Sequence, residues 1–161
     1  GRHARYLAGR GHPVLAVDRD EQALSITAAH GVEIQHMDLE ADDSPLKPDW
    51  PLQSHRFAGI VVTNYLHRPL MGALLDSLAP GGVLIYETFA EGNGLFGKPS
   101  NPAFLLAPGE LLRLAASVQG LRVLAFEDGH VSSPAPAMVQ RICVVRETPA
   151  LAPVALQIDA D

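Results

Sequence analysis

The sequence predicts an α/β domain: a mostly parallel sheet with helices on both faces and an antiparallel hairpin at its C-terminal end. Three observations carry this expectation. Short apolar runs of four to seven residues alternate with segments of helical spacing. The runs Val14–Val17 and Phe57–Thr63 are nearly all apolar, as in strands buried on both faces. The last two strand-like stretches, Leu121–Phe126 and Met138–Val145, are separated only by the turn-rich segment Asp128–Pro136 and can pair with each other.

In order, His3–Leu7 reads as a short helix stopped by Gly9 and Gly11. Val14–Val17 is a strand. Asp20 suits the N-cap of a helix through about Ala29, with Gly31 just past its end. Val32–Gln35 is a second strand, and the prolines at 45, 48 and 51 make 41–56 a loop. After the strand Phe57–Thr63, Pro69 opens a helix with Leu70, Met71, Leu74, Leu75 and Leu78 on one face. Pro80-Gly81-Gly82 is expected to break that helix, and Val83 to start the next strand. Residues 90–108, rich in Gly, Pro and Asn, form a long loop of the kind that carries function. Pro108 opens a further helix with Leu111, Leu112, Ala115 and Val118 inward. Residues 1–146 read as one domain and 147–161 as a tail.

The chain has 161 residues, enough to bury a core without disulfides. Twelve basic against 18 acidic side chains give a net charge of −6, a poor match to nucleic acid. Cys143 is the only cysteine, which excludes an intramolecular disulfide and a cysteine-rich zinc site. His12, His30, His36, His55 and His130 show no metal-ligand spacing, so no metal is expected. No apolar run approaches the roughly 20 residues that span a bilayer, and no signal-peptide core follows Gly1–Arg5. The expectation is a soluble cytoplasmic protein with no membrane partner.

Ligands in such sheets bind beyond the carboxyl ends of the strands, which directs attention to four places. Asp18 directly follows a strand, where a carboxylate can accept from both hydroxyls of a ribose. Its spacing from Gly1 is close to the roughly 20 residues expected between a glycine loop and this acid. The plainer alternative is a solvated turn beside Arg19 and Asp20. Asp38 could accept from an adenine amino group while Leu39 packs on the ring, or could simply belong to the acidic surface run that includes Glu40. Asn64-Tyr65-Leu66-His67 lies between a strand and a helix, and His67 could act as a base near neutral pH. Equally, Tyr65 and His67 could only shape a pocket wall. Glu87 interrupts an apolar strand and either faces a pocket or pairs with a neighbour.

Taken in order, Gly1–Leu7, Val14–Asp18, Asp38-Leu39, Asn64–His67 and Leu78-Ala79-Pro80-Gly81-Gly82-Val83-Leu84 resemble the class I S-adenosylmethionine-dependent methyltransferases, in particular the tellurite-resistance branch. The resemblance covers about residues 1–146 and implies a Rossmann-like fold with S-adenosyl-L-methionine as methyl donor. By position it implies Asp18, with Arg19 beside it, at the donor ribose and Asp38 with Leu39 at the adenine. Asn64 and Leu66 would lie near the sulfonium, and Gly1 under the amino-acid part. Tyr65, His67 and Glu87 become candidates to position or deprotonate a small-molecule acceptor. The loop Glu91–Ala107, with Phe96, Lys98, Asn101 and Phe104, becomes a candidate acceptor cap.

One departure stands out. The family opens with a strand and an acidic, glycine-rich loop, whereas this sequence begins at what reads as the last glycine of that loop. The expectation is therefore a sheet lacking its first strand, with an edge open to oligomerisation or to the strand-like stretch Val154–Asp159. Two other functions remain open on the sequence: an NAD(P)-dependent oxidoreductase, which needs a full glycine loop for the pyrophosphate, and a non-catalytic interaction module.

Overall fold

A computed structural model describes residues 1–41 and 48–148. The chain divides into two compact units. The first comprises Gly1–Ser54 and His67–Ser77; the second comprises His55–Leu66 and the chain from Leu78 onward.

The first unit holds α1 (Arg2–Gly9), β1 (Leu15–Asp18), α2 (Glu21–Ala28), β2 (Glu33–His36) and α3 (Met71–Asp76). Helix α1 runs past the expected Leu7, and Gly11, at φ +86°, takes the chain out of it. Asp20 caps α2 as its sequence position predicts: its carboxylate accepts from the Ala23 backbone N–H at 2.9 Å. β1 and β2 pair parallel, Leu15 opposite Glu33 and Asp18 opposite His36. Leu24, Thr27, Val32, Met37, Met71, Leu74 and Leu75 are buried. Gly1 packs so closely on Thr27 that a Cβ there would overlap the threonine hydroxyl.

The second unit holds β3 (Phe57–Thr63), β4 (Leu78–Phe89), α4 (Glu110–Ala116), β5 (Leu121–Val131) and β6 (Ala137–Arg146). Its sheet has the order β3-β4-β6-β5. β3 pairs parallel with β4, and β6 pairs antiparallel with both β4 and β5. Hence β3, β4 and β5 share one direction, and only β6 of this sheet runs against them. This is the Rossmann-like α/β class that the alternation predicts, closed by the expected antiparallel hairpin. Along β4, Leu84, Tyr86 and Thr88 are buried, and their cross-strand partners Val144, Ile142 and Gln140 are buried with them.

Three local expectations are corrected. Pro80-Gly81-Gly82 does not separate a helix from a strand: β4 begins at Leu78 and carries the three residues as an irregularity opposite β3. The 3-10 turn Arg68–Leu70 and the short α3 already finish at Asp76, so the break falls earlier. Leu112 points outward, 40% exposed, while Leu111 and Ala115 carry the buried face of α4. The tail beyond Thr148, including Val154–Asp159, lies outside the described residues.

The irregularity explains its own sequence. Gly81 sits at φ +78°, where L side chains are strained. At Gly82 a Cβ would come within 2.7 Å of two backbone carbonyl oxygens, Ala79 and Phe57. Backbone cannot swing aside as a side chain can, so Gly82→Ala is expected to cost about 1–3 kcal/mol. Gly72 in α3 faces open space, and Gly72→Ala is expected to stabilise by roughly 0.5–1 kcal/mol. Urea unfolding midpoints of the two variants should move in opposite directions.

Candidate functional site

In the first unit, Asp18, the last residue of β1, and Asp38, two residues past β2, stand at the same end of the two-stranded sheet. Both are exposed. Asp18 Oδ1 accepts from the Asp20 N–H at 3.0 Å, which fixes the carboxylate over the turn into α2. Among the described residues its second oxygen has no partner. Asp38 makes the matching turn, with Oδ1 accepting from the Glu40 N–H at 2.9 Å. Arg19 is exposed, and its carbonyl accepts from the His36 imidazole at 3.1 Å. Leu39 is half-buried. Gly1 caps α1, its carbonyl accepting from the Arg5 N–H at 3.0 Å. His67, half-buried, precedes the 3-10 turn and accepts through its carbonyl from the Leu70 N–H at 3.0 Å.

In the second unit, β3 ends in a left-handed residue, Asn64 at φ +53°. Asn tolerates that conformation better than most residues. The turn is tied to β4, because the Asn64 N–H donates to the Glu87 carbonyl at 3.0 Å. The buried Tyr86 reaches the same segment, its hydroxyl donating to the Tyr65 carbonyl at 2.9 Å. Leu66 is half-buried. The exit from β3 is thus held by backbone bonds that leave the Asn64 side chain exposed.

Glu87 resolves toward one of its two sequence readings: it pairs with a neighbour. Arg141, opposite it on β6, donates from Nε to the Glu87 carboxylate at 2.5 Å and from Nη1 to Glu127 at 3.1 Å. Burial alone would lower the Arg141 pKa, but the Glu87 charge and the hydrogen bonds to Glu127 and Glu87 outweigh it, and the net direction is upward. Arg141 carries no motif, and only the strand register brings it to Glu87. Two further residues escaped the sequence reading, the buried amides Asn93 and Gln140. Asn93 Nδ2 donates to the Pro99 carbonyl at 3.0 Å, and its Oδ1 accepts from the Met138 N–H at 3.1 Å. Gln140 Nε2 donates to the Ala107 carbonyl at 2.6 Å, and its Oε1 accepts from the Leu111 N–H at 3.2 Å.

These amides determine the character of the loop after β4. Its backbone is stapled from Ala90 to Leu106: Ala90 N–H donates to the Met138 carbonyl, Glu91 N–H to Leu106, and Leu106 N–H to Phe89. Two 3-10 turns, Asn93–Leu95 and Pro102–Phe104, occupy the middle. Leu105 and Leu106 are buried, whereas Leu95, Phe96 and Phe104 are exposed. The loop is a braced platform at the carboxyl end of a parallel strand.

No protein-family model and no curated protein matches the sequence. Solved structures do match the fold. TehB from Haemophilus influenzae superposes with a TM-score of 0.70 at 15% identity, over 92% of this chain and 54% of TehB. A SAM-dependent methyltransferase from Methanosarcina mazei gives 0.63 at 11% identity, over 88% of this chain and 85% of its own. The 1,6-didemethyltoxoflavin-N1-methyltransferase of Burkholderia thailandensis, solved with bound 1,6-didemethyltoxoflavin and S-adenosylhomocysteine, gives 0.61 at 20% identity, over 92% and 67%. This chain therefore spans about half the length of TehB and has the fold of the SAM-dependent methyltransferases. Among the described residues, no helix is long and apolar enough to cross a membrane.

Two outcomes follow from the charges and the thiol. Arg141→Met should lower stability by about 1 kcal/mol in dilute buffer, since the pair is half-exposed. The loss should shrink at roughly 1 M salt, where screening acts over about 3 Å; a salt-independent loss would mean the side chain acts by packing. Burial pushes the Cys143 thiol up. The fold then holds that proton more tightly than the unfolded chain does. Its contribution to stability is present below the ordinary thiol pKa and is lost as pH rises above it. Iodoacetamide should accordingly alkylate Cys143 only at higher pH than it alkylates a free cysteine, read by mass spectrometry.

Proposed function

We propose that residues 1–146 form one methyltransferase domain, cytoplasmic, that moves a methyl group from S-adenosylmethionine to a small-molecule acceptor. The observation that carries this reading is the fold: parallel strands joined through helices, closed by an antiparallel hairpin, and shared with methyltransferases of which one holds S-adenosylhomocysteine. The antiparallel strand β6 also weighs against the NAD(P)-dependent alternative, whose dinucleotide sheets are mostly parallel.

The residues present suit the donor. Asp18 offers a braced, exposed carboxylate with one oxygen uncommitted, which fits a ribose diol. In this reading Asp18 holds the ribose with Arg19 beside it, and Asp38 and Leu39 meet the adenine. Gly1 supports the amino-acid part, and the Asn64–Leu66 segment lines the neighbourhood of the sulfonium. When bound, the donor supplies a methyl group already activated by the positive charge on sulfur. The protein's own contribution is then to hold the acceptor atom in line at near-attack distance and to keep water away. A base serves only an acceptor that must lose a proton. His67 and Tyr65 are the candidates for that step, because the Glu87 carboxylate is engaged by Arg141.

Calorimetric titration with S-adenosylhomocysteine tests the reading. Binding is expected, with NAD giving none, and Asp18→Ala should weaken it about tenfold or more, the scale of a hydrogen bond to a charged group. If neither this chain nor a form extended at its N-terminus binds S-adenosylhomocysteine, the methyltransferase reading falls.

A further inference from the structure

The braced loop after β4 contains a hollow of about 480 Å³, lined by Lys98, Pro99, Ser100, Asn101 and Phe104. That volume falls within the range of small-molecule sites. Among the described residues, no carboxylate pairs with the Lys98 ammonium and no hydrogen-bond partner engages the Ser100 hydroxyl. Asn101 uses its Oδ1 to accept from the Ala103 N–H at 3.0 Å, which leaves its amide N–H₂ open. Beside them Phe104 is 53% exposed. The ring is thus available for stacking against a ligand.

The hollow is fixed in shape. The turn through Pro99 is pinned by the buried Asn93 amide. Ser100 lies against Gly94, where a Cβ would stand 3.3 Å from the serine Cβ. The neighbouring Phe96 rests on the His130 ring at 4.8 Å. A site whose donors are held in place spends little ordering entropy on binding. A cationic donor, an amide N–H₂ and a hydroxyl that can also donate match an anion. An adjacent open ring matches a flat apolar body. In a chain of net charge −6, an unpaired lysine beside an open ring is a local exception that favours this ligand class over a cation.

We infer that the hollow formed by Lys98, Ser100, Asn101 and Phe104 recognises an anionic, flat apolar small molecule, its carboxylate on Lys98 and its ring on Phe104. This deepens the methyltransferase reading and rests on it for one point, that the molecule bound here is the methyl acceptor. The hollow lies on the loop at the carboxyl end of β4, the end at which α/β sheets receive ligands.

The test uses 2-naphthoate and its neutral counterpart 2-naphthalenemethanol as probes, titrated into the full chain and followed by amide shifts in ¹H–¹⁵N spectra. The expected result is saturable shifts confined to about residues 94–105, with naphthoate binding about tenfold more tightly than the alcohol. Lys98→Met should bring naphthoate down to the alcohol's affinity, Lys98→Arg should retain it, and Phe104→Ala should weaken both probes. Both side chains are exposed, so the variants should keep the wild-type spectrum elsewhere. Equal affinity for the two probes, indifference to Lys98→Met, or shifts centred on another surface would overturn the inference. S-adenosylhomocysteine titrated in parallel separates the two readings. Donor binding without naphthoate binding sinks this site alone. Naphthoate binding without donor binding supports the site and removes its assignment to a methyl acceptor.

Discussion

Where β4 ends, the chain leaves the sheet but cannot leave its peptide groups unsatisfied, and the second unit is arranged around that constraint. A buried amide or carbonyl without a partner costs about 1–3 kcal/mol. The segment from Ala90 to Leu111 would present many such groups if it lay loosely on the hairpin. Two buried carboxamides meet the need. Asn93 ties the turn at Pro99 to the start of β6, and Gln140 ties β6 to both sides of the entry into α4. Each supplies a donor and an acceptor from two separate atoms of one planar group, so it can bridge two backbone segments. Through them the hairpin, the loop and α4 become one braced assembly.

That bracing assigns the loop a different role from the mobile cap its composition resembles. Gly, Pro and Asn in such density suit a flexible lid as well as a tightly turned platform; the hydrogen bonds distinguish the two. A platform contributes through fixed placement, and under the methyltransferase function proposed above placement is most of what a protein can offer, since the donor brings its own activation. The charged row Glu87–Arg141–Glu127 belongs to the same logic. It pairs the charges that the strand register brings together on the sheet.

Much of this was legible in the residues. Phe57–Thr63 has the bounds its apolar run defines, but the expectation that it is buried on both faces fails: none of its residues is fully buried, and Ala58, Gly59 and Val61 are exposed. Asp18, Asp38 and Asn64 do lie at strand ends, as the sequence predicts: Asp18 closes β1, Asp38 lies two residues past β2, and Asn64 follows β3. Other features depend on register, which a sequence does not display. Arg141 meets Glu87 only because β6 pairs antiparallel with β4 at one alignment. The same holds for Gln140 and Thr88. Pro80-Gly81-Gly82 misled because glycine marks a turn and a strand irregularity with the same letters. Leu112 misled because one residue of phase on a seven-residue helix moves a side chain from core to solvent.

The contact between Gly1 and Thr27 has a consequence for how such a sequence can drift. No side chain fits at position 1 while the hydroxyl of Thr27, itself donated to the Ala23 carbonyl at 2.9 Å, occupies that space. The two positions are therefore coupled: a larger residue at position 1 requires the Thr27 side chain to give way, by turning its hydroxyl off the Ala23 carbonyl or by replacement with a smaller residue.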